Sequence, residues 1–499
     1  MKKILAIVLA LTMLLCVLVS CKKDKQEDIA SSENTVSTNQ TAESDRLSEL
    51  GSRDFGGMVF NVLDANDYPE MHVNYATEET RGVSNITDAL YTRDIELKSM
   101  YNLDDIKYTT VMNAAKGIDD LRTQIQANTL EYDMVISTAV GSTTTSSTGG
   151  TLAALAIQNM LRNLNEINYL SLDKEWWSPL IYKNMLLNNK IFFTTGDITP
   201  SLYQAPAAMY VNMVLLKNYH QDIDIFKIVE DGEWTFAKLN ELTANISDDT
   251  NQDDIMSATD DFFGLAVQKN SLTVQDFVIG AGSAFSKVEN NTLSVDLRNQ
   301  TLGATVDNIK RLYPTMNFNY GTNADQQNVI NVAFKTGKAI FLAHHLESAM
   351  FHLRDMEDDY AVLPYPKAST DQTQYLSHVS NWVDCFVAVP SAVSNDRVEF
   401  VGFMMEAMAA YSNKNLRPFI YESVLKYQRV NDAKSSAMID VIMDGIVIDY
   451  AVIYDIGGLE SICNNVVFND AKLNIQAAAA NNTIKNATKI IMQAHGMEQ

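Results

Sequence analysis

Between Met58 and Ser137 the apolar residues switch repeatedly between strand and helix spacing, and this alternation constrains the fold more than any other feature. Met58-Val59-Phe60-Asn61-Val62-Leu63 reads as a strand. Ile86, Leu90, Leu97 and Tyr101 share one helical face. Ile106 to Thr110 reads as a second strand, Ile118, Leu121 and Ile125 mark a second helix, and Tyr132 to Ser137 reads as a short buried strand. A βαβαβ order predicts a parallel sheet with right-handed crossovers. Ligands of such sheets sit beyond the carboxyl ends of the strands. Those ends run here into Asp64-Ala65-Asn66-Asp67-Tyr68 and Ser137-Thr138-Ala139-Val140-Gly141. Asn66, Asp67 and Thr138 are therefore candidate ligand contacts, against the plainer reading of solvated turns. The Ser/Thr/Gly stretch continuing to Thr151 fits a bland flexible loop or a ligand loop equally well.

The N-terminus carries an export pattern. Lys2 and Lys3 precede an apolar run from Ile4 to Val19, a length that suits a signal peptide and is marginal for a permanent span. The run ends in Leu18-Val19-Ser20-Cys21, which resembles a lipobox. We expect residues 1–20 to be removed and Cys21 to carry the lipid (diacylglycerol and palmitate-type chains), since two chains hold a membrane far better than one. Residues 21–52 are polar and nearly devoid of large apolar side chains, so they read as a flexible tether.

The remaining 450 or so residues, about twice an ordinary core, suit two domains. The chain has 38 Lys+Arg against 62 Asp+Glu, and losing Lys2 and Lys3 with the leader takes the formal charge from −24 to −26. Such acidity argues against nucleic acid and against anionic lipid along the body. Of four cysteines, Cys16 leaves with the leader and Cys21 is lipidated. Only Cys385 and Cys463 remain, too few for a disulfide framework, and both are expected to be free thiols.

Several further segments follow one another along the chain. They are Thr87-Asp88-Ala89-Leu90-Tyr91-Thr92-Arg93-Asp94, then Trp176-Trp177 with the turn Thr195-Gly196-Asp197, then Asp231-Gly232-Glu233-Trp234-Thr235. Phe334-Lys335-Thr336-Gly337-Lys338-Ala339-Ile340-Phe341 follows with its sequel Leu363-Pro364-Tyr365-Pro366. In these segments, behind a lipobox, the chain resembles family 1 extracellular solute-binding proteins, the group that includes maltose-binding protein. The resemblance runs from about Phe55 to the C-terminus and is closest to members common in Gram-positive gut-type bacteria.

That resemblance implies an α/β, two-lobed periplasmic-binding-protein-like fold of type II. Each lobe would be a mainly parallel sheet flanked by helices, with the solute in the cleft between lobes. It places lobe one at 53–203 plus 386–412 and lobe two at 204–385 plus 413–499. Crossings fall near Tyr203 to Tyr210, near Cys385 to Pro390 and near Ser412. It further implies a monomer on the outer face of the cytoplasmic membrane of a Gram-positive cell. The loaded protein would dock on ABC permease subunits driven by a separate ATPase.

Sugar rings offer flat C–H faces to Trp or Tyr and a rim of hydroxyls to planar acceptors and donors. Trp176, Trp177 and Trp382 lie in segments that the family places beside the cleft, and Asp197 and Asp384 are near them in sequence. These five join Asn66, Asp67 and Thr138 as candidate ligand residues, although core packing is the commoner fate of a tryptophan. Trp234 precedes Thr235, a helix N-cap candidate, and is read as packing. Asp88, Arg93 and Asp94 are read as a structural surface pair or cap.

Signals for an enzyme are poor. Gly280-Ala281-Gly282 lacks the third glycine of a dinucleotide fingerprint, and no G-x-S-x-G elbow exists. His344-His345-Leu346-Glu347 gathers histidines and a carboxylate but is not H-E-x-x-H, and apart from His352 no further Cys or His lies at ligand spacing. No catalytic residue, metal or cofactor is expected. The expected function is capture of a carbohydrate, mono- or oligosaccharide, by lobe closure. A lipid-anchored glycan hydrolase and a ligand-presenting sensor for a membrane kinase are the alternatives.

Overall fold

The computed structural model describes residues 46–139, 150–254, 256–257, 260–312, 316–317, 323–425 and 432–497. The expected leader, Cys21, residues 22–45 of the expected tether and residues 140–149 of the Ser/Thr/Gly stretch lie outside the described residues. Among the described residues no helix is long and apolar enough to cross a membrane. The body begins earlier than residue 53. Helix Arg46–Leu50 buries Leu50, and Arg46 donates to Glu406 Oε1 (2.8 Å) and to the Tyr169 carbonyl (2.9 Å).

The alternating N-terminal pattern forms the elements that it predicts. Strands β1 (Met58–Asn66), β2 (Leu103–Met112) and β3 (Met134–Ser137) pair in parallel, with β1 in the middle. Val62 stands opposite Tyr108 on one side and Met134 on the other. Ser84 caps the helix Asn85–Tyr101 by accepting from the Thr87 amide, and Asn102 ends it in the left-handed region at φ 51. Such a conformation suits asparagine better than most residues. Strand Phe386–Ala388 completes the sheet antiparallel to β3, so the chain comes back to the first lobe late in the sequence.

The second sheet has β4 (Ala207–Asn212) and β5 (Phe263–Val267), with strands Met316–Asn317, Ala339–His345 and Tyr360–Leu363. Its order is Tyr360–Leu363, β4, Ala339–His345, β5, Met316–Asn317. β5 runs parallel to both its neighbours and β4 antiparallel to both of its own. Every residue of β4, β5 and Ala339–His345 is buried, including the polar Asn212, His344 and His345 at their ends. Helices pack on both sheets, which gives a two-lobed α/β molecule without a barrel.

Two crossing segments lie side by side. The Ser380 amide donates to the Ala205 carbonyl (2.9 Å), Pro206 bridges Val379, and the Leu346 amide donates to the Pro206 carbonyl (3.0 Å). Helix Asn395–Asn415 packs against helix Asn85–Tyr101 and gives way at Leu416 to helix Arg417–Leu425. Arg93 is fully buried beside these crossings rather than paired on the surface. It donates to Asp94 Oδ1 (2.8 Å), the Tyr108 hydroxyl (3.0 Å), the Ile198 carbonyl (3.1 Å) and Ser412 Oγ (3.2 Å). A guanidinium with all these acceptors offsets the desolvation that burial costs. The C-terminal helix Leu473–Ala494 packs against helix Leu459–Phe468 and also reaches the first lobe. There Asn188 Nδ2 donates to the His495 carbonyl (2.8 Å), and the Tyr450 hydroxyl donates to the Met185 carbonyl (2.8 Å).

Candidate functional site

The carboxyl end of β1 turns back on itself through polar side chains. Asn66 is buried; its Oδ1 accepts from the Tyr68 amide (2.9 Å) and its Nδ2 donates to the His72 carbonyl (2.8 Å). Asp67 is exposed, and its Oδ1 accepts from the Ala114 amide (2.8 Å) at the start of helix Ala114–Ala127. A carboxylate at that end of a helix satisfies an amide with no intrahelical partner and meets the positive end of the dipole. These contacts leave Tyr68 projecting, 60 % exposed.

Asp384 reaches this loop from the crossing segment. It has no exposed surface. Its Oδ2 lies 2.8 Å from His72 Nδ1 and accepts from the Asp67 amide (3.1 Å). Its carbonyl accepts from Asn74 Nδ2 (2.9 Å) and Ser201 Oγ (3.0 Å). Thr138, after β3, donates its hydroxyl to the Asn381 carbonyl. Trp382 stands between Asn381 and Asp384 and is 51 % exposed, the only exposed tryptophan among the described residues. Three oxygens near this junction are buried without a hydrogen-bond partner: Asp384 Oδ1, Asn381 Oδ1 and Gln204 Oε1. Gln204 faces the same loop, its Nε2 donating to the Met71 carbonyl (2.7 Å). Buried acceptors are nearly always paired, so three unpaired ones near one loop are unusual.

No family model matches the chain, and no curated protein matches it by sequence. Solved structures do match its fold along most of its length. A sugar-binding protein MalE from the phytopathogen Xanthomonas citri superposes with TM-score 0.56 at 9 % identity, covering 87 % of this chain and 98 % of its own. A cyclo/maltodextrin-binding protein complexed with maltotetraose gives TM-score 0.55 at 12 % identity, covering 86 % and 96 %. A cyclic alpha-maltosyl-1,6-maltose binding protein from Arthrobacter globiformis gives 0.55 at 11 %, covering 87 % and 100 %. The chain has the two-lobed, maltodextrin-binding-protein fold.

Within that fold the eight sequence-predicted residues separate into two places. Asn66, Asp67, Thr138, Trp382 and Asp384 come together around the lobe junction. Trp176, Trp177 and Asp197 do not join them. Trp177 is fully buried in the first lobe, its Nε1 donating to Glu406 Oε2 (2.7 Å), so no face is left for a ligand. Trp176 is half-buried on the same short turn, Glu175–Trp177, and packs on the core. A side chain at Gly196 would run into the Trp176 carbonyl, so the turn is closed by contact with that glycine. Asp197 is a hinge brace: its Oδ1 accepts from the Tyr203 hydroxyl (2.6 Å) and its Oδ2 from Asn413 Nδ2 (2.7 Å). Trp234 packs as expected, donating Nε1 to the Pro364 carbonyl (2.8 Å) and stacking on Phe341.

Asp64, Tyr68, His72, Asn74, Gln204 and Asn381 escaped the sequence reading. Asp64 and Tyr68 lay inside the segment already singled out and Asn381 stands beside Trp382; the others had no local signal. Asp64 is the electrostatic centre of the loop. Burial pushes its carboxyl up to about 7, against hydrogen bonds from Asn74 and Asn66, and the nearby Asp384 carboxylate pushes the same way. Burial also raises Asp384, with His72 and the Asp67 amide opposing. Like charges brought out of water disfavour each other's ionisation.

Proposed function

We propose that this protein is an extracellular solute-binding lipoprotein that captures a carbohydrate in the cleft by lobe closure and hands it to an ABC importer permease. The observation that carries the reading is the junction itself. Buried acceptor oxygens on Asp384, Asn381 and Gln204 lie near the exposed rings of Trp382 and Tyr68. Sugar hydroxyls are donors for the first group, and sugar C–H faces stack on the second. Asn66, Asp67 and Thr138 hold the loops that present them. The likeness to proteins described as binding maltotetraose or cyclic maltosyl-maltose is one of fold, and it supports a carbohydrate as the first class to try. The contacts come from the first lobe and the crossing segments, so a solute that also meets the second lobe would bind most tightly to the closed arrangement and shift the population towards it.

A thermal-shift screen of the soluble body against mono- and oligosaccharides tests the reading, since a ligand of the folded state raises the unfolding temperature. A hit should be recovered chemically intact after incubation; hydrolysed product would favour the hydrolase. If no carbohydrate shifts the unfolding temperature, the carbohydrate assignment fails. The anchor is tested separately. Cys21→Ala should leave the protein unlipidated and uncleaved or shed into the medium. Normal mass and membrane retention in that variant would remove the lipoprotein part.

A further inference from the structure

The second lobe contains a buried cluster of histidines and a carboxylate that solute capture does not use. His344 and His345 end the strand Ala339–His345, Glu347 follows, and the chain leaves through a π-helical turn, Ser348–His352. Neighbouring side chains of a regular strand point to opposite faces. Here the two imidazole centroids are 5.2 Å apart at 76°. Single-turn π segments, like the one that follows at Ser348–His352, are frequent at functional sites.

One nitrogen of each ring and one carboxylate oxygen of Glu347 all lie within 4.8 Å of one another, and all three residues are buried. His344 Nδ1 is 3.5 Å from Glu347 Oε1. Two ligand atoms on a tetrahedral zinc ion, at the usual bond lengths, stand roughly 3.3 Å apart, so this pair is already at bridging distance. His345 Nε2 is buried and faces Asp276 Oδ2 at 3.3 Å. Asp276 is itself held by His378, whose Nδ1 is 2.8 Å from Asp276 Oδ1. A carboxylate beside a ligating imidazole fixes its tautomer and orientation, the usual outer support of a metal site. His352 ends the same turn but stays outside the trio.

We propose that His344, His345 and Glu347 form a binding site for a divalent transition metal, of which zinc is the type, with Asp276 as positioning residue for His345. Two imidazoles and one carboxylate are a three-ligand zinc set that leaves one coordination position for water or another donor. The site lies at the carboxyl end of a strand parallel to β5, where sheets of this kind receive ligands. Small exposed edges, 8 % of the Glu347 side chain and 7 % of that of His345, give an entry path.

The test uses the untagged, chelator-treated soluble body, titrated with zinc alone by calorimetry and with cobalt alone by visible absorption. The expected result is one zinc ion per chain and the intense spectrum of four-coordinate cobalt. Glu347→Gln and His345→Gln should abolish saturable uptake, and Asp276→Asn should weaken it about 10- to 100-fold, while circular dichroism keeps the wild-type signature. No saturable zinc uptake by the wild type overturns the site, as does uptake unchanged in Glu347→Gln and His345→Gln. If those variants do not fold, the wild-type cobalt spectrum decides: a weak six-coordinate spectrum or none overturns the site.

Discussion

His72 Nδ1 lies 2.8 Å from Asp384 Oδ2, and the two residues are 312 positions apart in the chain. One belongs to the loop after β1, the other to the segment that brings the chain back from the second lobe. Their contact, with the Asp67 amide on the same oxygen, ties the first lobe to a crossing segment at the place where Trp382 emerges. The geometry of the candidate site depends on that knot, and the other oxygen of the same carboxylate is buried without a hydrogen-bond partner.

Asp384→Ala should therefore lower affinity for an identified solute roughly 10- to 100-fold, the usual loss when a charged hydrogen-bond acceptor is removed. His72→Ala should lower it less, since it removes the brace and not the acceptor. Calorimetric titration of both variants checks the order. Equal losses would mean that Asp384 acts only through His72.

Trp382→Ala should weaken solute binding by about 1–3 kcal/mol, as for an aromatic anchor that is desolvated on binding. Its unfolding midpoint without solute should barely move, because half of the ring already faces water. Trp177→Ala and Trp234→Ala should each cost about 3–5 kcal/mol of stability and change affinity only indirectly. Urea unfolding beside ligand titration separates the two kinds. A Trp382 variant that unfolds early yet binds normally would place that ring in the core.

That contrast also marks how far the sequence could be read. The first lobe's strands were legible because strand and helix periods leave a local trace. Trp234 was legible as packing because Thr235 beside it carries the cap, accepting from the Lys238 amide. Trp177 and Trp382 carry no such trace. Trp177 is buried in the core and its Nε1 partner, Glu406, is 229 positions away, so nothing within its own segment announces it. Asp197 and Arg93 were misplaced for the same reason: Asn413 and Ser412, which lie beside them, come from the last crossing. The histidine trio shows the opposite case, where residues adjacent in sequence also lie together in the fold.

Asp64 gives the stability a definite pH dependence. Its carboxyl is raised from 3.8 unfolded to about 7 folded. Below about pH 3.8 both states hold the proton and the residue costs nothing. As pH rises from there to about 7 the unfolded state ionises first, so folding stability falls, by up to about 4 kcal/mol in all. Asp197, raised to about 6 by burial, adds a fall of the same sign over a narrower window. Asp64→Asn should remove its part, leaving the variant more stable relative to wild type at neutral pH than in mild acid. Urea midpoints of both proteins across that range measure it. Parallel profiles would show that Asp64 ionises normally in the folded chain.

Cys385 and Cys463 are free and buried in different surroundings. Thr195 and Thr199 hydroxyls donate to the Cys385 carbonyl (2.8 and 2.7 Å), fixing it where the chain re-enters the first sheet. Cys463 lies on helix Leu459–Phe468, against Val274, Phe285 and Leu302. Burial pushes both thiols up, and the thiolate is the reactive form. Neither should react with a thiol reagent in the native protein, and both should react once it is unfolded. A non-reducing mass two protons lighter than that of the reduced chain would contradict free thiols. Rapid native labelling of Cys385 would instead show that the crossing opens to solvent.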